Sequence, residues 1–96
     1  MEKTDLINQL HAYKLEKRNE YQLKKIGLFG SFARDDAGND SDIDIVVELH
    51  RPDLFILGNI KTDLEELFGK RVYIVRLREK MNKFLKKRIE EEAIYV

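Results

Sequence analysis

An apolar stretch, Lys25-Ile26-Gly27-Leu28-Phe29, runs directly into Gly30-Ser31. After ten intervening residues, Asp42 and Asp44 open a second apolar stretch, Ile43-Ile45-Val46-Val47. Two short β-rich runs joined by a connection that starts with Gly-Ser predict two buried strands with the turn at their shared end. Side chains alternate across a strand, so Asp42 and Asp44 point to the same face, separated by roughly 6.6 Å of backbone. Both are expected to be partly exposed at the strand end. No other segment of the 96 residues restricts the chemistry so closely.

The remaining elements follow from periodicity. Residues 4–18 place Leu6, Ile7, Leu10 and Tyr13 at helical spacing, with Thr4 or Asp5 as N-cap. Residues 24–29 read as a buried strand, 31–35 as the first turn of a short helix, 36–41 as loop and 42–49 as the second strand. Residues 53–68 are helical. Asp53 caps their start, Leu57, Ile60, Leu64 and Leu67 lie on one face, and Gly69 ends the helix. Residues 71–77 predict a third strand. Residues 79–93 predict a charged helix with Met81, Leu85 and Ile89 inward. The order is helix, strand, short helix, strand, helix, strand, helix, which predicts one α/β (α+β) domain over 1–96 with at least three strands and flanking helices.

A chain of this length, 43% hydrophobic, builds a modest core. It buries only roughly 60–65% of its unfolded surface, so a partner or bound nucleotide would add stability. No cysteine is present, which excludes disulfides and thiolate metal sites. The N-terminus lacks the apolar core of a signal peptide and no run reaches the ~20 apolar residues of a membrane helix, so the expectation is a cytoplasmic protein with no membrane partner. Net charge is zero but segregated. Residues 35–66 carry ten acids and two bases, and residues 70–88 carry nine bases and one acid. The basic block reads either as a solvated helix face or as an attractor of phosphates or an acidic partner. Nucleic-acid binding is not favoured, because only Tyr73 and Phe84 interleave the basic residues.

The chemistry centres on the strand–turn–strand. Two carboxylates on one face suit Mg²⁺, which takes one or two carboxylates and completes its shell with phosphate oxygens and water. Phosphoryl and nucleotidyl transfer use that arrangement. Gly30 lets the backbone approach a phosphate. Ser31 offers a hydroxyl and an N–H where an anion is favoured, and Arg34 can reach the same phosphates as a permanent cation. Ser41 can orient Asp42 or close the loop. The candidate nucleotide-binding residues are thus Gly30, Ser31, Arg34 and Ser41, and the candidate catalytic and metal-binding residues are Asp42 and Asp44. Competing motifs fail. Asp40-x-Asp42-x-Asp44 begins like an EF-hand loop, but Ile45 stands where glycine is needed and Arg51 where the bidentate glutamate belongs. No G-x-x-x-x-G-K-[ST] occurs. His11 and His50 have no partners at ligand spacing and read as surface residues.

Strand, Gly30-Ser31, ten residues, Asp42-x-Asp44 and strand, with Phe32-Ala33-Arg34 and Ser41-Asp42-Ile43-Asp44-Ile45 around them, resemble the minimal nucleotidyltransferases of the DNA polymerase β superfamily. Leu64–Val72 resembles that family's helix leading into its third strand, and Arg88–Val96 resembles its ending, so the likeness spans nearly the whole chain. The resemblance implies a polymerase β-like nucleotidyltransferase fold with a small mixed sheet. Many stand-alone domains of this kind are antitoxins paired with a HEPN ribonuclease toxin. It therefore implies transfer of AMP from ATP, with Mg²⁺, to a tyrosine of that toxin, which silences it. The implied partners are ATP and the HEPN toxin, with a homo-oligomer left open.

One departure stands out. The family carries a third carboxylate on its third strand, in a pattern like G-x-x-V-D-[LI]-V. The aligned stretch here is Gly69-Lys70-Arg71-Val72-Tyr73-Ile74-Val75, with Tyr73 in place of the aspartate. A phenol is a poor base at neutral pH and a poor ligand for a hard cation. Glu48 shares the face of Asp42 and Asp44 but lies roughly 13 Å along the strand from Asp44. The alternative expectation is therefore a catalytically weak or inactive nucleotidyltransferase-fold antitoxin that neutralises its toxin by binding.

Overall fold

The computed structural model describes all residues, 1–96. Its elements are α1 (Lys3–Lys17), β1 (Leu23–Phe29), α2 (Gly30–Ala33), β2 (Ile43–Leu49), α3 (Leu54–Phe68), β3 (Val72–Arg76), α4 (Lys83–Glu92) and β4 (Ile94–Tyr95). The strands form one mixed sheet in the order β3-β2-β1-β4. β1 runs antiparallel to both β2 and β4, and β2 runs parallel to β3. A parallel pair requires a crossover, and α3 supplies it between β2 and β3.

Helices cover both faces. Leu6, Leu10 and Tyr13 of α1 and Ile60, Leu64 and Phe68 of α3 pack on Leu23, Ile26, Leu28, Ile43, Ile45, Val47 and Val72 of the sheet. The two helices are also tied by Asp63, whose Oδ2 accepts from the hydroxyls of Tyr13 (2.7 Å) and Tyr21 (3.2 Å). Burial, then the Asp63 carboxylate, pushes the Tyr13 phenol far above its ordinary value. On the opposite face, Ile89 of α4 closes over Phe29, Val46 and Val75, with Leu77, Met81 and Leu85 at the margin. No polar or charged residue is fully buried on either side.

The predicted caps of α3 are present. Asp53 accepts from the N–H groups of Phe55 (2.9 Å) and Ile56 (3.2 Å), and Gly69 takes the left-handed φ of 66°. Several details differ from the sequence expectation. Neither Thr4 nor Asp5 caps α1; Glu2 holds that position without a side-chain hydrogen bond. Leu67 is exposed, because the buried stripe of α3 follows Ile60, Leu64 and Phe68. α4 begins at Lys83 rather than residue 79, because Asn82 Oδ1 accepts from Leu85 N–H and sets the start. A fourth strand is added by Ile94 and Tyr95, which pair with Leu28 and Gly27. No helix is long and apolar enough to cross a membrane.

Candidate active site

β2 begins at Ile43, so Asp42 stands immediately before the strand and Asp44 is its second residue. Ile43 and Ile45 turn into the α1/α3 core with no exposed surface. Alternation therefore sends Asp42 and Asp44 to the α4 face. Both are half-buried, as expected from the strand end. In the sheet register Asp44 is flanked by Phe29 of β1 and Tyr73 of β3. Tyr73 thus occupies the third-strand position beside Asp44, half-exposed, and β3 itself contains no acidic residue.

Gly30 is explained differently than the sequence suggested. Its φ is +75°, and the position a Cβ would take is already filled by the Asp44 carboxylate, whose Cγ would lie 2.8 Å away. The missing side chain makes room first for Asp44, which lets β2 bring that carboxylate against the start of α2. The Gly30 N–H donates to Glu92 Oε1 at 3.2 Å. Arg34, at the end of α2, donates through Nη1 to the same oxygen at 2.8 Å and through Nε to Asp36 at 3.2 Å. Glu92 Oε2 faces Arg88 Nε at 3.6 Å. Ser31 is half-exposed, and its carbonyl accepts from Asp36 N–H at 3.0 Å. Ser41 closes the loop: its Oγ accepts from Gly38 N–H at 2.9 Å. Asp42 Oδ1 lies 3.2 Å from Arg71 Nε in an exposed ion pair. Asn39, Asp40, Ser41, Asp42, Lys70 and Arg71 border a shallow polar cleft of 270 Å³.

Burial pushes the Asp44 carboxyl above the ordinary aspartate value. Arg88 and Arg34 pull it down, while Asp42 and Glu92 push it further up. A half-buried carboxylate among like charges is a place where a cation would relieve the field. No three acidic or histidine side chains converge on one point, so the protein offers two carboxylates and no closed cage. That donor set fits Mg²⁺, which leaves most of its shell to water and phosphate oxygens.

Sequence reasoning placed Gly30, Ser31, Arg34, Asp42 and Asp44 together, and the fold brings them to one end of the sheet. It missed Glu92, Arg88 and Arg71. The available signal was helical spacing: Glu92 lies three residues beyond inward-facing Ile89 and four beyond Arg88. Glu48 is remote, as expected. It pairs with Lys25 across the strands and lies 3.9 Å from Lys24 Nζ. His11 and His50 are exposed, as expected.

The chain has known relatives. Residues 11–96 match the family described as nucleotidyltransferase domain. The chain belongs to that family. It is 35% identical over 88 residues to the protein adenylyltransferase MntA of Thermococcus cleftensis, covering 91% of this chain and 88% of the relative. A solved structure provisionally described as a minimal nucleotidyltransferase superposes with a TM-score of 0.79 at 30% identity, over 98% of this chain and 95% of the other. The fold is therefore that of the minimal nucleotidyltransferases. The MNT antitoxin complex with the tri-AMPylated Shewanella oneidensis HEPN toxin matches with a TM-score of 0.69 at 23% identity, over 97% of this chain and 70% of the other, a likeness of fold.

Proposed function

We propose that residues 1–96 act as one antitoxin domain that transfers AMP from ATP to a tyrosine of a HEPN ribonuclease toxin. The observation that carries this reading is the placement of Asp42 and Asp44 on one side at the start of β2, with Asp44 against Gly30, in a nucleotidyltransferase-family chain. The relative named protein adenylyltransferase MntA and the fold neighbour solved with an AMPylated HEPN toxin support the donor, the acceptor class and the partner. In the reaction the acceptor phenol oxygen forms a bond to the α-phosphorus, the bond from that phosphorus to the bridging oxygen breaks, pyrophosphate leaves, and the phenolic proton passes to solvent. Asp42 and Asp44 would hold Mg²⁺, which neutralises triphosphate charge. Gly30 N–H, Ser31 and Arg34 bind phosphate oxygens, and Ser41 holds the loop that leads into Asp42.

Tyr73 favours a second reading. The position beside Asp44 on β3 carries a phenol where the family pattern has a carboxylate, so acceptor deprotonation has no third acid to assist it. On that reading the chain neutralises its toxin by contact and transfers AMP slowly or not at all. One experiment separates the two. Incubated with ATP, Mg²⁺ and a HEPN toxin, the chain should raise the intact mass of that toxin by one or more AMP units. Asp42→Ala should lower the rate at least about 100-fold while leaving thermal stability intact. No mass gain, together with a stable complex on gel filtration, would establish the binding antitoxin instead.

A further inference from the structure

The group that holds the phosphate-binding donors in the free protein is one of the chain's own carboxylates. Glu92 is the last residue of α4, and only 15% of its side chain is exposed. Its Oε1 accepts from both Gly30 N–H (3.2 Å) and Arg34 Nη1 (2.8 Å), and its Oε2 faces Arg88 Nε at 3.6 Å. A main-chain N–H and two guanidinium groups converging on two oxygens of one anion is the donor set a phosphate group requires. Asp42 and Asp44 stand on the same face, and the Arg34 and Arg88 guanidinium groups are the direct partners of Glu92's oxygens.

We propose that the Glu92 carboxylate is an internal stand-in for a nucleotide phosphate, occupying Gly30 N–H and Arg34 until a triphosphate displaces it. This rests on the nucleotide-site reading of the Gly30-Ser31 turn. Glu92 does not replace the acid missing at Tyr73, since no three carboxylates converge on a common point. Glu92 is the last residue of α4, one residue before β4 begins at Ile94. In the free protein the contact holds Arg34 in a ready orientation and shields the donors from stray anions. Glu92 is thus a positioning residue that competes with the substrate.

Calorimetric titration of the full chain with Mg²⁺ and AMP-PNP, a non-hydrolysable ATP analogue, tests this. Glu92→Gln and Glu92→Ala should both bind roughly tenfold tighter than the unaltered chain, the scale of one lost charge-assisted hydrogen bond in competition. In the unaltered protein, the Glu92 side-chain carboxyl carbon resonance should move towards that of a free glutamate as AMP-PNP saturates. Unchanged affinity in both variants, or a Glu92 resonance that stays fixed while nucleotide binds, overturns the proposal alone. Weaker binding in both variants also overturns it and makes Glu92 a ligand. No binding by any of the three proteins removes the nucleotide-site reading, and this proposal with it.

Discussion

The two faces of the sheet are covered to different depths. On one, α1 and α3 pack with the sheet into a cluster of fourteen buried residues. On the other, Ile89 of α4 closes over Phe29, Val46 and Val75, a cluster of only four. The charged site lies entirely on the thinner side: Asp42, Asp44, Glu92, Arg34 and Arg88 meet where β2 begins and α4 ends. A sealed face stabilises the chain but cannot hold unpaired carboxylates, whose desolvation would be prohibitive. The half-covered face tolerates them and keeps them reachable. A cleft of 280 Å³ around Tyr13 and Asp63 is lined by α1 and α3 alone and includes none of these carboxylates.

The sharpest way to break this division is to cut one large side chain from each face. Leu64, with no exposed surface in the α1/α3 core, should cost about 3–4 kcal/mol as Leu64→Ala. Ile89→Ala should cost only about 2 kcal/mol, because a helix resting on three buried sheet residues can settle into the void. Urea unfolding of both variants decides it, and equal losses would mean that the faces contribute alike.

The two left-handed glycines sharpen the comparison at the next level. Gly69 ends α3 in open space, so Gly69→Ala should cost about 1 kcal/mol, from backbone strain alone. Gly30 shares the left-handed φ but lies against Asp44, so Gly30→Ala should cost about 2–3 kcal/mol and also displace the carboxylate. If the two variants lose the same stability, Asp44 is not wedged against Gly30.

The smallest effect has the opposite sign. Burial raises the Asp44 carboxyl in the folded state. The folded chain therefore binds that proton more tightly than the unfolded chain. The stabilisation this gives is present at low pH and lost as pH rises through the raised folded value; above it the charged carboxylate is a net cost. Asp44→Asn should accordingly be more stable than the parent at neutral pH by about 0.5–1 kcal/mol, the scale common when a site residue is relieved. The gain should fade as pH falls from about 7 to about 3. Thermal melts across that range check it, and a gain independent of pH would assign the effect to something other than the charge.

Much of this arrangement was legible beforehand. The alternation of Ile43 and Ile45 with Asp42 and Asp44 decided which side chains are buried and which are presented. Asp53 and Gly69 marked the ends of α3 because caps act on adjacent backbone groups. β4 was not legible, since two residues carry no period. The sign of it was Gly27 in the middle of β1, where a Cβ would sit 2.9 Å from the Ile94 carbonyl oxygen. Leu67 was placed inward because its spacing fits the stripe equally well, and only the position of the sheet turned Phe68 inward instead.

Alternation, capping and the spacing of Gly30-Ser31 from Asp42 and Asp44 act within a few residues, so the chain by itself determined the elements and the carboxylate pair. Strand order, the pairing of Tyr73 beside Asp44, and the reach of Glu92 back to Gly30 and Arg34 join residues up to 62 positions apart. Those were decided only when burial of the two sheet faces chose how the helices return, because no local preference encodes which distant charge will be left facing another.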